Sequence, residues 1–256
     1  MLEWFARKFI YPAPRNLDET PADYGTEYEE IAFTSGDGCK LHGWWLPHRQ
    51  ARATIMICHA NGENVASWAW IGNVLEPLGC NFLLFDYRGY GKSAGKPHQI
   101  GVYADALAAH AWLCKSGNHR WPVIVWGRSL GSAIAIHVAA NVKVTGLIAE
   151  SGFTSMIELA TLVTPYPPFL IRRALRNNTF DALDEVRHVD GFKLFAHSPE
   201  DELIPYEMGR RLYEAAPEPK AFCDLVGGHN DPSLGHRPYL RAIEQLVNQV
   251  VEAHGR

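Results

Sequence analysis

One serine sits between two glycines in Gly127-Arg128-Ser129-Leu130-Gly131, entered from the apolar run Val123-Ile124-Val125-Trp126 and left through the alanine-rich run 133–140. A strand that turns directly into a helix strains the serine backbone and brings the two elements nearly into touch, so a side chain two residues to either side would collide. The hydroxyl is thereby pushed out at the carboxyl end of a sheet, where it can act as a nucleophile. Such a hydroxyl attacks poorly at neutral pH. It needs an imidazole to take its proton and a carboxylate to orient that imidazole and stabilise its cation.

Both partners are expected downstream, in loops after later strands. Leu225-Val226-Gly227-Gly228-His229 follows a strand-like run, and its paired glycines let the backbone deliver His229 towards the serine; His236 is the weaker alternative. Acidic residues follow the run that ends near His197, in Ser198-Pro199-Glu200-Asp201-Glu202, with Asp201 the first choice and Glu200 and Glu202 the fallbacks. The chain order Ser129, Asp201, His229 is the order expected when such a serine turn sits on a parallel α/β sheet. Acyl transfer also develops an oxyanion, which backbone amides can stabilise. The amide of Leu130, at the start of the helix, is one expected donor, and Asn61 in the turn His59-Ala60-Asn61-Gly62 is the second. His59 reads as a brace of that turn.

These groups need a scaffold that brings distant segments to one edge. Runs 30–34 and 39–45 flank the turn cluster Ser35-Gly36-Asp37-Gly38 and predict an antiparallel hairpin. From there, short apolar runs at 53–58, 81–86, 122–126, 144–149, 192–197 and 221–226 alternate with helical stretches at 64–78, 100–116, 130–141, 205–216 and 235–253. That alternation predicts parallel strands joined by right-handed crossovers. Residues 152–190 break the rhythm with Thr164-Pro165-Tyr166-Pro167-Pro168-Phe169, where the prolines stop a helix. An insertion after a strand lies over the carboxyl edge of the sheet, so 152–190 is expected to be a small lid or cap, with Phe153, Tyr166 and Phe169 helping to line a substrate pocket.

Composition narrows the alternatives. The chain has 256 residues, and no Ser/Gly/Pro-rich linker divides it, which suggests one domain over 1–256 with an N-terminal segment over 1–27. Its net charge of -4, with no basic stripe, argues against nucleic acid as a partner. Five scattered cysteines show no metal-type spacing, so no metal is expected, and free thiols suit a reducing, cytoplasmic setting. The N-terminus, Met1-Leu2-Glu3-Trp4-Phe5-Ala6-Arg7-Lys8-Phe9-Ile10, is too short and too interrupted to span a bilayer, yet it could make a peripheral membrane contact.

Two further phrases carry a resemblance. Phe85-Asp86-Tyr87-Arg88-Gly89-Tyr90-Gly91-Lys92-Ser93 and Glu150-Ser151-Gly152-Phe153-Thr154-Ser155, together with the serine turn, resemble the α/β-hydrolase superfamily from residue 28 onward. The branch it looks like contains depalmitoylating thioesterases and uncharacterised bacterial esterase-like and peptidase-like proteins. The resemblance implies a three-layer α/β-hydrolase sandwich: a mostly parallel eight-stranded sheet, an N-terminal antiparallel hairpin and a small cap. It also implies no cofactor, and a structural role for Asp86 and Arg88 in holding their loop. The chain departs from the family pattern at Ala60 and Ser198, where glycine is common, and it lacks the N-terminal cysteine cluster of the depalmitoylating members. The expected reaction is cleavage of a small-molecule carboxylic ester or thioester through an acyl-enzyme on Ser129. The alternatives are a prolyl-oligopeptidase-like serine peptidase and a non-catalytic binding protein on the same fold.

Overall fold

Successive side chains of a strand point to opposite faces of its sheet, and a strand covered on both faces must be apolar throughout. In β3 (Ala53–Cys58) every residue is buried. Ile55 and Ile57 enter one core layer, together with Trp126 and Tyr239, while Met56 and Cys58 enter the other, with Val125 and Ile134. Two cores on either side of one sheet make three layers. The computed structural model describes residues 10–117, 120–231 and 233–255.

The sheet has eight strands in the order β1-β2-β4-β3-β5-β6-β7-β8. β1 (Glu29–Thr34) and β2 (Lys40–Leu46) form the expected hairpin, with Thr34 opposite Lys40, and β2 runs antiparallel to β4 (Cys80–Phe85). The rest are parallel: β3, β5 (Val123–Arg128), β6 (Gly146–Glu150), β7 (Phe192–His197) and β8 (Lys220–Asp224). The chain steps from β3 outward to β4 and returns past β3 to β5. That reversal opens a crevice at the carboxyl ends of β3 and β5, where an open α/β sheet places its ligand site.

One expected helix is absent. Instead of a continuous helix over 64–78, the chain forms two short 3₁₀ segments, Val65–Trp68 and Glu76–Leu78, around a single α-turn, α1 (Ile71–Val74). Pro77 can donate no helical hydrogen bond, and the Asn64 side chain caps the first piece by accepting from the Ala66 amide at 2.9 Å. The other crossovers are α2 (Gln99–Lys115), α3 (Leu130–Asn141) and α7 (Tyr206–Ala215); α8 (Arg237–His254) follows the last strand, and the insertion between α3 and α7 supplies three more helices.

Within the insertion, α4 (Met156–Val163) and α5 (Pro168–Leu175) form a helical pair, followed by the short α6 (Ala182–Glu185). The proline cluster separates two helices, and Pro168 starts the second at a position where a missing N–H costs nothing. The loop containing Asp86 and Arg88 is pinned from inside. Buried Asp86 accepts from the Val65 amide at 3.0 Å, and Arg88 holds the buried Asp105 at 2.7 Å and Asp37 at 2.6 Å. All five cysteines are free thiols; Cys58 and Cys80 are buried, and burial pushes the Cys80 thiol up to about 12. No helix among the described residues is long and apolar enough to cross a membrane. Residues 1–9 of the aromatic and basic N-terminus lie outside the described residues, whereas Ile10 and Tyr11 are buried.

Candidate active site

Close approach of two backbones decides the serine turn. A Cβ on Gly127 would lie 2.0 Å from the Gly131 carbonyl oxygen, and one on Gly131 would lie 1.9 Å from that of Cys58. Only hydrogen fits at either place. Between them Ser129 takes φ 54° and ψ −120°, a left-handed conformation that costs on the order of 1–3 kcal/mol for a residue with a side chain. The surrounding bonds hold it there: the Ser129 amide donates to the Glu150 carbonyl at 2.9 Å, and the Ser129 carbonyl accepts from the Ser132 amide at 3.0 Å and hydroxyl at 2.7 Å.

Ser129 and the two groups singled out downstream meet. His229 Nε2 lies 3.0 Å from Ser129 Oγ, and His229 Nδ1 lies 2.7 Å from Asp201 Oδ2. The Asp201 side chain is fully buried, and the imidazole is 7% exposed. Asp201 Oδ1 accepts from the amides of Leu203 at 3.0 Å and Ile204 at 2.8 Å. Burial alone would raise the Asp201 pKa, but hydrogen bonds from His197, His229 and the Ile204 amide outweigh it and hold the carboxyl well below the usual range. An ionised carboxylate facing Nδ1 keeps the proton on that nitrogen and leaves Nε2 as an acceptor for the serine proton.

Glu200 and Glu202 serve the backbone instead of the imidazole. Glu200 accepts from the Gly227 amide at 3.1 Å, and Glu202 accepts from the His229 amide at 2.9 Å. Ser198, where the resembling family has glycine, ties the two loops together by donating to the Gly227 carbonyl at 2.5 Å. His236 precedes α8 with no hydrogen bond from its side chain to the helix end, and it is His229 that reaches the serine. Leu130 opens α3, so its amide lies beside Ser129 at the positive end of a helix. Leu130 and Asn61 both line the cavity above the serine. The neighbouring Ala60 amide is already engaged, donating to Glu63 Oε2 at 2.9 Å. His59 is buried and packs against Tyr87 with ring centroids 4.1 Å apart and planes tilted by 40°, and burial lowers its affinity for a proton, consistent with a brace.

That cavity has a volume of about 640 Å³ and lies under α4 and α5. Its wall is almost wholly apolar: Leu130, Met156, Leu159, Leu170, Ile171 and Ile204 among others, with Ser129 and His229 at one side. Phe153 is buried in the wall and Tyr166 stands at it, 65% exposed. Phe169 does not belong to the lining. It is 69% exposed, because α5 turns Leu170, Ile171 and Ala174 inward and leaves Phe169 on the opposite side.

Two residues were missed by the sequence reading. His197 is completely buried, and its Nε2 lies 3.2 Å from Asp201 Oδ2 and 3.0 Å from the Ile204 carbonyl, so Asp201 sits between two imidazoles. Arg128 joins three segments: it donates to Glu63 at 2.8 Å and to the His229 carbonyl at 2.6 Å, and it faces the buried Glu150 at 3.5 Å. His197 has a faint sequence signal, a polar residue ending an apolar strand four residues before an acid. Arg128 has none, since its partners lie far away in the chain. Among the described residues, no group of three or more His, Cys, Asp or Glu could hold a metal ion.

Comparison with known proteins agrees with this architecture. Residues 53–221 match the family described as the alpha/beta hydrolase fold. An uncharacterised protein of Mycobacterium tuberculosis is 32% identical over 253 residues, covering 95% of this chain and 87% of its own. The alpha/beta hydrolase domain-containing protein WAV2 of Arabidopsis thaliana is 30% identical, covering 97% and 89%. Among solved structures, the esterase Pf2001 of Pyrococcus furiosus superposes with a TM-score of 0.73 at 21% identity, covering 94% of this chain and 96% of that one. An alpha-beta hydrolase from Vibrio vulnificus reaches 0.76 at 21% identity, covering 96% and 92%.

Proposed function

This chain belongs to the alpha/beta hydrolase fold family, and from that premise we propose that it is a serine hydrolase of carboxylic esters or thioesters with an apolar acyl group. The observation that carries the reading is the hydrogen-bonded chain from Asp201 through His229 to Ser129 beside an apolar cavity. Ser129 Oγ attacks the carbonyl carbon while His229 Nε2 takes its proton, and Asp201 stabilises the imidazolium. The amides of Leu130 and Asn61 receive the oxyanion, a pair of donors of which each is typically worth about 10²–10³ in rate. His229 then gives its proton to the departing alcohol or thiol, and water, deprotonated by His229, releases the acid from Ser129.

The cavity supports the choice of substrate class. Apart from His229, none of its lining residues is ionisable near neutral pH, which favours an acyl chain over a peptide that needs a charged or polar anchor. Volumes of about 300–1,000 Å³ are usual for small-ligand sites. The whole chain is read as one hydrolase domain with 152–190 as its cap, and five unpaired thiols favour the cytoplasm.

A fluorophosphonate probe should label the wild type and leave Ser129→Ala unlabelled; labelling that survives in the variant refutes the assignment. Across a series of p-nitrophenyl esters, kcat/KM should rise by up to about fourfold per methylene, equivalent to ~0.8 kcal/mol, until the cavity is filled. Matched acyl-thioesters and aminoacyl amides separate the thioesterase and peptidase readings.

A further inference from the structure

We propose that the tip of the α4–α5 pair docks on a membrane surface carrying anionic lipid. Eight large apolar residues are exposed among the described residues, and four of them, Leu162, Val163, Tyr166 and Phe169, fall within eight positions of this tip. They are 52–69% exposed, and the stretch 162–169 contains no charged residue. Isolated exposed apolar side chains are ordinary on a protein surface, whereas a contiguous group marks an interaction site.

Charge selects the occupant. On α5, Arg172 and Arg173 follow Phe169 by three and four residues, so all three share one side of the helix. Both arginines are exposed, and neither makes an ion pair or hydrogen bond with another described residue. Between residues 152 and 180 there is a single acid, Glu158, and it is already paired with Arg211. The guanidinium groups therefore stand about 5 Å along the helix from the aromatic tip, the offset between lipid headgroups and an apolar edge inserted by ~5–10 Å. Apolar side chains below and uncompensated cations above match an anionic bilayer.

The cavity excludes the competing occupants on geometry and charge. Thr164 and Tyr166 belong both to the tip and to the cavity lining, so this surface borders the cavity. A protein seated there would seal the site, while a lipid layer would feed it. A second copy of the chain would bring its own arginine pair against the first. Docking stands independently of hydrolysis; only the entry of substrate from the lipid rests on the acyl-hydrolase reading.

Flotation of the full-length protein with phosphatidylcholine vesicles containing phosphatidylglycerol, against phosphatidylcholine alone, tests the proposal. The wild type should float with the mixed vesicles and be released by salt. The pair Leu162→Ser with Phe169→Ser, and separately Arg172→Glu with Arg173→Glu, should each lose about tenfold or more in partitioning. Both variants should keep wild-type thermal unfolding, fluorophosphonate labelling and hydrolysis of a dissolved short-chain ester. Absence of vesicle binding by the wild type, binding unchanged in both variants, or self-association lost with Phe169→Ser would each overturn the proposal. Vesicle binding without fluorophosphonate labelling would retain the docking surface and remove the hydrolase reading.

Discussion

Replacing Arg128 with methionine should cost about 3 kcal/mol of stability and about a hundredfold in kcat, with little change in KM. The guanidinium is the common partner of the His229 carbonyl at 2.6 Å, Glu63 at 2.8 Å and Glu150 at 3.5 Å. Methionine keeps most of the apolar stem and removes every donor. Glu150 is 1% exposed, so it loses a cation that water cannot replace, although Trp126 at 3.1 Å and Tyr239 at 2.8 Å still donate to it. Breaking a buried pair typically costs about 3–5 kcal/mol. The lower end applies because Arg128 and Glu63 are 15% and 20% exposed, which lets water take over part of their hydrogen bonding.

The activity loss follows from what Glu63 and His229 do. Glu63 Oε2 accepts from the Ala60 amide and from Trp68 Nε1, both at 2.9 Å, so the turn bearing Asn61 is tied through Arg128 to the loop bearing His229. With the link gone, a displacement of about 1 Å in either loop is enough to lose ~10² in rate. The cavity wall does not include Arg128, so ground-state binding of the acyl group should persist. Initial rates on a medium-chain p-nitrophenyl ester give kcat and KM, and chemical denaturation gives the stability. Arg128→Lys, which retains charge without the forked donors, should recover only part of kcat. A kcat within about threefold of wild type, equivalent to ~0.65 kcal/mol in the barrier, would refute the argued coupling.

Gly131→Ala should give an insoluble or strongly destabilised chain despite alanine's better helix propensity, because its Cβ would stand 1.9 Å from a backbone oxygen; solubility and thermal unfolding check this. Asp201 has a depressed pKa in the fold, so its contribution to stability is present above the unfolded value of ~3.9 and is lost as pH falls below it. Urea titrations from neutral to acid pH should therefore show the stability gap between wild type and Asp201→Asn closing below about pH 4, and a gap that widens there would reverse the assigned sign.

The strands, the hairpin and the serine turn were legible in the chain because each rests on local rules, and the proposed triad Ser129, Asp201 and His229 was picked from the turns that follow those strands. Apolar runs bounded by turns make buried strands, and glycines at fixed offsets mark a close approach of backbones. Where the expectation depended on more than the neighbouring residues, it drifted. The stretch 64–78 was expected as one helix but forms three pieces: the Asn64 cap and Pro77 lie in the sequence, while the contacts that hold the pieces, the Val65 amide on Asp86 and Trp68 against Trp126, come from remote segments. Phe169 was expected in the pocket and lies outside it, because the rotation of a helix about its own axis is set by what it docks on.

His197 and Arg128 mark the same boundary at the site. Their types and positions were visible, but their roles arise from Asp201, Glu63, Glu150 and the His229 carbonyl, which lie from four to about a hundred residues away. Sequence alone determined the strands, the serine turn and which side chains stand as candidates for chemistry at the sheet edge. Tertiary structure decided which side chains hold those groups in register and which line the cavity, since contact distances between remote segments depend on how whole elements pack.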